Sequence, residues 1–196
     1  MKRMTAMVVA VLGIGLGSML VGTSVSAQDD GWTTLFDGSS LDGWNPIGDA
    51  NWSLADGAVQ ADSGSGFLVT PESYGDFSLS LEFWVDEPAN SGIFIRCADA
   101  ESVTDRNSYE VNIYDTRADQ TYRTGGIVHI AAPASVINTG GQWNTYEIVA
   151  QGARIQVTLN GEEMVDVEDT QFASGPIALQ YGAGTVKFRN VRIKTM

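Results

Sequence analysis

From Gln28 to Met196 the apolar residues never recur at helical spacing for long enough to build a helix. They come in short runs, several strictly alternating, and Gly, Asn, Asp or Pro breaks each run. A chain of this kind buries an apolar face only by pairing strands into sheets and stacking the sheets. The runs predict strands at 52–54, 58–61, 67–70, 77–85, 92–97, 109–114, 146–150, 154–160, 162–167, 177–181 and 186–194, with a further one near 126–130. About a dozen strands exceed the number in an immunoglobulin domain and suit a larger jelly roll of two antiparallel sheets. No linker or internal repeat divides residues 28–196, which read as one all-β sandwich domain. Asn160-Gly161 and Asp56-Gly57 sit between strand-like runs and predict two-residue hairpin turns. The first of these turns places Val157 opposite Met164.

Residues 1–27 read differently. Lys2 and Arg3 precede a charge-free apolar run from Met4 to Val21, and Val25-Ser26-Ala27 follows. This is the pattern of a secretory signal peptide cleaved after Ala27. It predicts an exported domain, periplasmic or secreted, with no membrane attachment after cleavage. An uncleaved anchor is the alternative for a run of this length. Gly13, Gly15 and Gly17 lie inside the apolar run with no strand before them, so they are not a nucleotide loop.

The chain has 11 Lys+Arg against 24 Asp+Glu, a net charge of −13, which argues against a nucleic-acid partner. One Cys excludes an internal disulfide and any multi-cysteine metal site, and one His excludes a three-histidine site. No EF-hand loop, His-pair zinc motif or strand–turn–helix nucleophile is present.

The most informative stretch is 77–115. Strand side chains alternate between faces, so one face of each strand here is plain core. The other carries Glu82, Trp84, Phe94, Arg96, Glu110, Asn112 and Tyr114. Sequential antiparallel hairpins would put Glu82 opposite Arg96 and Arg96 opposite Glu110. Such an acid–base–acid row, beside Trp84 and Tyr114 and with Asp115 at the strand end, suits a sugar: aromatic rings stack on it and charged groups bind its hydroxyls. The plainer alternative is a solvated cross-strand salt-bridge ladder. His129, after Gly125-Gly126, is a general base, a metal ligand or a structural residue. Cys97 faces the core if Arg96 faces out, and Trp32, Trp44, Trp52 and Trp143 read as packing.

Blocks along most of the chain then carry a resemblance. They run from Leu35-Phe36-Asp37-Gly38 and Leu41-Asp42-Gly43-Trp44 through Asn90-Ser91-Gly92-Ile93-Phe94-Ile95-Arg96 and Tyr109-Glu110-Val111-Asn112-Ile113-Tyr114-Asp115. They continue with Thr124-Gly125-Gly126-Ile127, Trp143-Asn144-Thr145-Tyr146-Glu147-Ile148, Gly175-Pro176-Ile177-Ala178-Leu179-Gln180 and Phe188-Arg189-Asn190-Val191-Arg192-Ile193. In order and spacing the chain resembles the 3-keto-disaccharide hydrolase domain family, also described as 3-keto-glucoside lyase or hydratase domains. The resemblance implies a concanavalin A-like jelly-roll β-sandwich and substrates that are glycosides oxidised to a ketone at C3. Asn112 stands where the family often has Gln. Tyr181-Gly182-Ala183-Gly184 follows Leu179-Gln180, where many members have a His.

A C3 ketone acidifies the C2 proton, so such a site needs a base, a partner for the enolate oxygen and an acid for the leaving group. On this reading Glu110 is the base, Arg96 stabilises the enolate, and Glu82 orients Arg96 or acts as the acid. Asn112 and Asp115 hold hydroxyls, or ligate a divalent cation if one is used; no other cofactor is implied. Trp84, Tyr114 and His129 complete the substrate-binding set. The competing reading is a non-catalytic, lectin-like carbohydrate-binding module, and a third is an adhesion or structural domain.

Overall fold

A computed structural model describes residues 31–196 of the protein, so the expected signal peptide lies outside the described residues. The strands are β1 (Thr33–Phe36), β2 (Asn45–Gly48), β3 (Ser53–Ala55), β4 (Ala58–Ala61), β5 (Gly66–Val69), β6 (Phe77–Val85), β7 (Ser91–Ile95), β8 (Tyr109–Ile113), β9 (Trp143–Gln151), β10 (Arg154–Leu159), β11 (Glu162–Glu168), β12 (Ala178–Tyr181) and β13 (Val186–Thr195). One short 3-10 turn, Gln120–Tyr122, interrupts the long connection between β8 and β9. No helix among the described residues is long and apolar enough to cross a membrane.

Two antiparallel sheets stack face to face. The larger has the order β11-β10-β9-β6-β13-β4-β3, with β1 also on β13; the smaller has the order β2-β5-β12-β7-β8. This is the expected jelly-roll sandwich. The alternation of β6 sends Phe77, Leu79, Leu81, Phe83 and Val85 inward, where they meet Ile93, Ile95, Tyr109, Val111, Ile113 and Leu179 of the smaller sheet. Each such burial is worth about 1.5–3 kcal/mol, and this inter-sheet layer is what holds the fold. Phe83 stacks on Tyr146 at 4.9 Å between centroids within it.

Both hairpin turns form, with φ of 52° and 83° at Asn160 and Gly161 and of 53° and 74° at Asp56 and Gly57. A bulge between Val157 and Thr158 corrects the expected register: Val157 pairs with Val165 rather than Met164. The segment near 126–130 is no strand and meets β8 through the isolated bridge Val111–Ile127. β1 and β2 were not visible in the sequence. β2 contains Pro46, which an edge strand tolerates because one side of its backbone needs no partner.

The larger correction concerns 77–115. β6 pairs with β9 and β13, not with β7. The chain crosses from one sheet to the other between β6 and β7, because the aliphatic face of each strand is better buried against the opposite sheet than side by side. β7 and β8 do form a hairpin, but Phe94, not Arg96, lies opposite Glu110.

Candidate functional site

Arg96 shows why the expected charged row fails. Its φ is 52°, so the strand's alternation ends there. The side chain is 1% exposed and acts as a structural tie. Its Nε donates to Gly75 O at 2.9 Å, its Nη1 to Gly152 O at 2.9 Å and to Phe172 O at 3.3 Å, and its Nη2 to Asp76 Oδ1 at 3.2 Å. Four of its five N–H groups are committed to these acceptors and the side chain is buried, so Arg96 is not placed to meet an enolate. The same break puts Cys97 with Phe94, Val69, Val103 and Ala178, outside the main core rather than in it. Burial pushes the Cys97 thiol up to about 12, so it is inert as a nucleophile.

Glu82 lies on the outer face of the larger sheet, with both sheets between it and Glu110. Its Oε2 accepts from Arg189 Nε at 2.8 Å and Nη2 at 2.6 Å, and its Oε1 from Asn190 Nδ2 at 2.6 Å. Desolvation is outweighed by these bonds, and the carboxyl sits below its usual range. Trp84 shares that face, with Lys187 Nζ 5.1 Å from its ring. Glu82 and Trp84 therefore do not join Glu110.

Asp115 is a loop fastener. Its Oδ1 accepts from Thr124 Oγ1 at 2.6 Å and Thr139 Oγ1 at 3.1 Å, and its Oδ2 from the backbone N–H groups of Thr139 and Gly140. These donors fill the carboxylate's lone pairs, so Asp115 does not fit a cation ligand. Among the described residues no group of three or more His, Cys, Asp or Glu is placed to hold a metal ion. Tyr114 lies half-buried just past β8, its N–H donating to Thr124 Oγ1 at 2.8 Å.

The remaining site residues converge on the outer face of the smaller sheet. Register makes two rows there. Asn45, Val69, Ala178, Phe94 and Glu110 lie side by side across the five strands. Ile47, Phe67 and Gln180 begin the parallel row, and the β12–β7 register continued by one residue joins them to Gly92 and Asn112. The connection from β7 to β8 folds over this face and buries Val103 on Phe94, which carries Asp105 towards Glu110.

Glu110 is 7% exposed and its carboxyl group takes no hydrogen bond among the described residues. It lies over Gly92, where a Cβ would stand 3.1 Å from Glu110 Cγ, 3.2 Å from its Oε1 and 3.2 Å from the Phe94 ring. Glycine there is what makes room for the acid. Desolvation, reinforced by the charge of Asp105 and opposed by Arg117, raises the Glu110 carboxyl to about 7. Asp105 Oδ2 lies 2.8 Å from His129 Nε2. His129 holds φ 66°, an uncommon conformation for a residue with a side chain, and packs edge-on to Tyr122. Val128 N donates to Glu110 O, which sets this segment beside the acid's own strand.

Three polar atoms of this face are buried with no partner: Asn112 Oδ1, Gln180 Oε1 and Arg117 Nε. Asn112 Nδ2 is committed to Tyr122 O, which fixes its oxygen as the free acceptor. Buried polar groups are almost always paired, by protein or by water, so three orphans on one face make it the candidate site. They offer two acceptors and a cationic donor beside a carboxyl poised near neutrality.

The structure thus brings together Glu110, Asn112 and His129 of the expected residues. Asp105, Arg117 and Gln180 were missed as site members. Asp105 and Arg117 sit in loops without periodicity, and only their charge, close in sequence to Glu110, could have drawn notice. Gln180 could have been found by alternation, since Leu179 and Tyr181 flank it and point to the core.

Residues 31–194 match the profile of the 3-keto-alpha-glucoside-1,2-lyase-like domain. A 3-keto-disaccharide hydrolase of Bacteroides thetaiotaomicron is 31% identical over 78 residues, which cover 33% of this chain and 27% of that relative. The match thus spans about a quarter of the relative's length. Among solved structures, a Parabacteroides distasonis protein provisionally named a glycosyl hydrolase superposes with a TM-score of 0.72 at 25% identity, covering 84% of this chain and 99% of that one. A family 66 carbohydrate-binding module of Bacillus subtilis superposes with a TM-score of 0.63 at 20% identity, covering 78% of this chain and 96% of that one, which shows a shared fold. With the profile spanning nearly all of the described sandwich, the chain belongs to the 3-keto-alpha-glucoside-1,2-lyase-like domain family.

Proposed function

We propose that the outer face of the smaller sheet binds a glycoside oxidised at C3 and breaks its C1–O bond by elimination, followed by hydration. The observation that carries this reading is Glu110: buried, unpaired, held near neutrality and ringed by orphaned Asn112 Oδ1, Gln180 Oε1 and Arg117 Nε. Sugar hydroxyls donate to the two amide oxygens, and an enolate oxygen accepts from the guanidinium. A base works best with a pKa near the working pH, and Glu110 meets that condition without a partner to hold its proton elsewhere.

In the first step the Glu110 carboxylate takes the C2 proton and the C2–H electron pair moves into an enolate whose oxygen is the former C3 carbonyl. Arg117 replaces Arg96 as the cation that steadies this oxygen. The enolate electrons then return to close a C1=C2 double bond while restoring the ketone, and the C1–O bond breaks with its pair on the leaving oxygen. That oxygen takes a proton from Glu110, now protonated, or from the His129 side of the cleft. Water finally adds its hydroxyl at C1 and its proton at C2, giving the free 3-keto sugar. Release of the leaving group from a 3-keto glucoside, present in the wild type and lost in Glu110→Gln, tests the reading; equal release by the two proteins overturns it.

A second reading, a carbohydrate-binding module, draws on one observation. Tyr181-Gly182-Ala183-Gly184 stands where the resemblance implies a His in many relatives, and a Cβ at Gly182 would stand 2.9 Å from Asn90 O. Sugar binding by wild-type protein that turns over no 3-keto glucoside favours that reading. On either one, residues 1–27 direct export; an amino terminus at Gln28 on protein recovered outside the cytoplasm supports this, and an intact Met1 there refutes it.

A further inference from the structure

We infer that Asp105 and His129 are a positioning pair for Glu110: the imidazole decides how much of the Asp105 charge the Glu110 carboxyl meets, and so how far below neutral pH Glu110 still serves as a base. The inference rests on the proposed reading of Glu110 and adds a control of that same site. Two loops build the pair. Asp105 sits in the turn 104–108 of the β7–β8 connection, which Ser108 Oγ closes by donating to Thr104 O at 2.5 Å and Thr104 N by donating to Asn107 Oδ1 at 2.9 Å. Val103, just before this turn, is buried on Phe94, the residue opposite Glu110. His129 sits in the turn 127–131, where Ile127 and Ala131 exchange backbone hydrogen bonds at 2.9 Å, and its neighbour Val128 donates its N–H to Glu110 O at 3.0 Å. Tyr122 packs edge-on to the imidazole at 5.8 Å between centroids, and Asn112 Nδ2 holds Tyr122 O.

The two side chains meet at 2.8 Å, Asp105 Oδ2 to His129 Nε2. A partly exposed pair of this kind adds little to stability, and the left-handed backbone at His129, φ 66°, works against it. Its effect is therefore electrostatic. After burial itself, the groups that act on the Glu110 carboxyl are Asp105, which raises it, and Arg117, which lowers it. Gly92 and Phe94 across the hairpin and Asn112 on its own strand carry no charge. Arg117 keeps its charge at every relevant pH, so the Asp105 side is the one that varies. A carboxylate beside Glu110 resists its ionisation, and an imidazole that holds a proton on each nitrogen cancels that carboxylate. The three groups thus exchange protons as one system. As pH falls, uptake by His129 shields Asp105 and delays uptake by Glu110. Linkage makes the effect reciprocal: an ionised Glu110 holds the imidazole's proton by the same free energy.

The chain has a single histidine, so in tag-free protein the imidazole NMR signal belongs to His129. Glu110 is followed by the carboxyl signal of isotope-labelled glutamate, as the resonance that Glu110→Gln removes. Asp105→Asn is expected to lower the midpoint of the Glu110 titration and His129→Asn to raise it, each by about 0.5 pH or more. Asparagine tolerates the left-handed backbone at position 129 and cannot ionise. Once Asp105→Asn is present, His129→Asn is expected to add nothing, because the imidazole acts through Asp105. In the reciprocal measurement, Glu110→Gln is expected to lower the pH at which the imidazole signal changes; this leaves His129 in place and decides the matter if His129→Asn does not fold. A Glu110 midpoint unmoved by His129→Asn, a shift that survives Asp105→Asn, or an imidazole signal blind to Glu110→Gln overturns the pair's role. None of these readouts needs turnover. Coupling in a protein that releases nothing from a 3-keto glucoside upholds the control and removes the elimination reading, whereas an active protein without coupling does the opposite.

Discussion

Glu110→Gln is expected to make the protein more stable above neutral pH while abolishing turnover. Burial with no hydrogen-bond partner raises this carboxyl from 4.5 to about 7. Between those values the folded chain holds a proton that the unfolded chain has lost. Folding stability therefore falls as pH rises through this window and levels off above about 7. At about 1.36 kcal/mol per pH unit across this window, the cost is at most about 3 kcal/mol. Glutamine has nearly the shape of the protonated acid and does not ionise. Urea unfolding at pH 5 and pH 8 reads the effect directly. The variant is expected to lead by less than about 1 kcal/mol at pH 5, just inside the window, and by about 3 kcal/mol at pH 8. All other carboxylates titrate in both proteins and cancel in the difference. Parallel stability curves across that range would refute the claim that Glu110 is held buried and unpaired. The kinetic half of the same experiment expects a fall of roughly 10²–10⁴-fold in kcat/KM, the usual worth of a general base.

Asp105→Asn removes a negative charge facing Glu110, so the midpoint of the rising limb of the pH–rate profile is expected to move to lower pH. Arg117→Gln is expected to lower kcat by about 100-fold with little change in the thermal midpoint, as loss of an oxyanion donor does. Arg96→Met is expected to do the reverse of what an active-site arginine would. It strands three carbonyl acceptors and costs about 3 kcal/mol or more in urea unfolding. Glu82→Gln, on the far face in a partly exposed pair with Arg189, is expected to cost less than about 1 kcal/mol and leave kcat/KM intact.

Alternation made the sandwich legible, and it also placed Glu110 and Asn112 correctly on a non-core face. Alternation cannot say which strand is a neighbour. A charged row needs β6, β7 and β8 to be consecutive in one sheet, and the crossover after β6 instead puts Glu82 on the opposite side of the molecule. Nor does alternation survive a change of backbone region. Arg96, read as outward because it follows Phe94 by two, turns away at φ 52° to tie three loops together. Asp105 and Arg117 were illegible for a different reason. Their nearness to Glu110 is made by loop packing, Val103 on Phe94 and the Asp115 fastening, which leaves no periodic trace.

The two outer faces of the sandwich differ in how their polar groups are satisfied, and that difference locates function better than hollow size does. A hollow of about 490 Å3 lies on the eight-stranded side with Glu82, Glu147, Asn190 and Arg192 in its lining. Yet Glu82 there is bound by Arg189 and Asn190, and Arg189 in turn lies 3.9 Å from the Trp143 ring centroid. Its geometry is complete without a ligand. On the five-stranded side the chain tolerates a buried carboxyl with no donor, two amide oxygens and a guanidinium nitrogen without partners, and a histidine in a strained conformation. Each of these costs folding free energy, on the order of 1–3 kcal/mol apiece. Grouped on the side of the sandwich that carries Glu110, they suit the proposed substrate, a polyhydroxylated ring that develops negative charge. A ligand that meets them should raise the protein's thermal midpoint in proportion to the orphans it satisfies. A 3-keto disaccharide is therefore expected to stabilise Glu110→Gln more than the unoxidised disaccharide does, because a ketone oxygen only accepts and turns both lone pairs to the Arg117 side, whereas a C3 hydroxyl must also place its own proton. Equal shifts for the two sugars would sever the link between the orphaned guanidinium and C3.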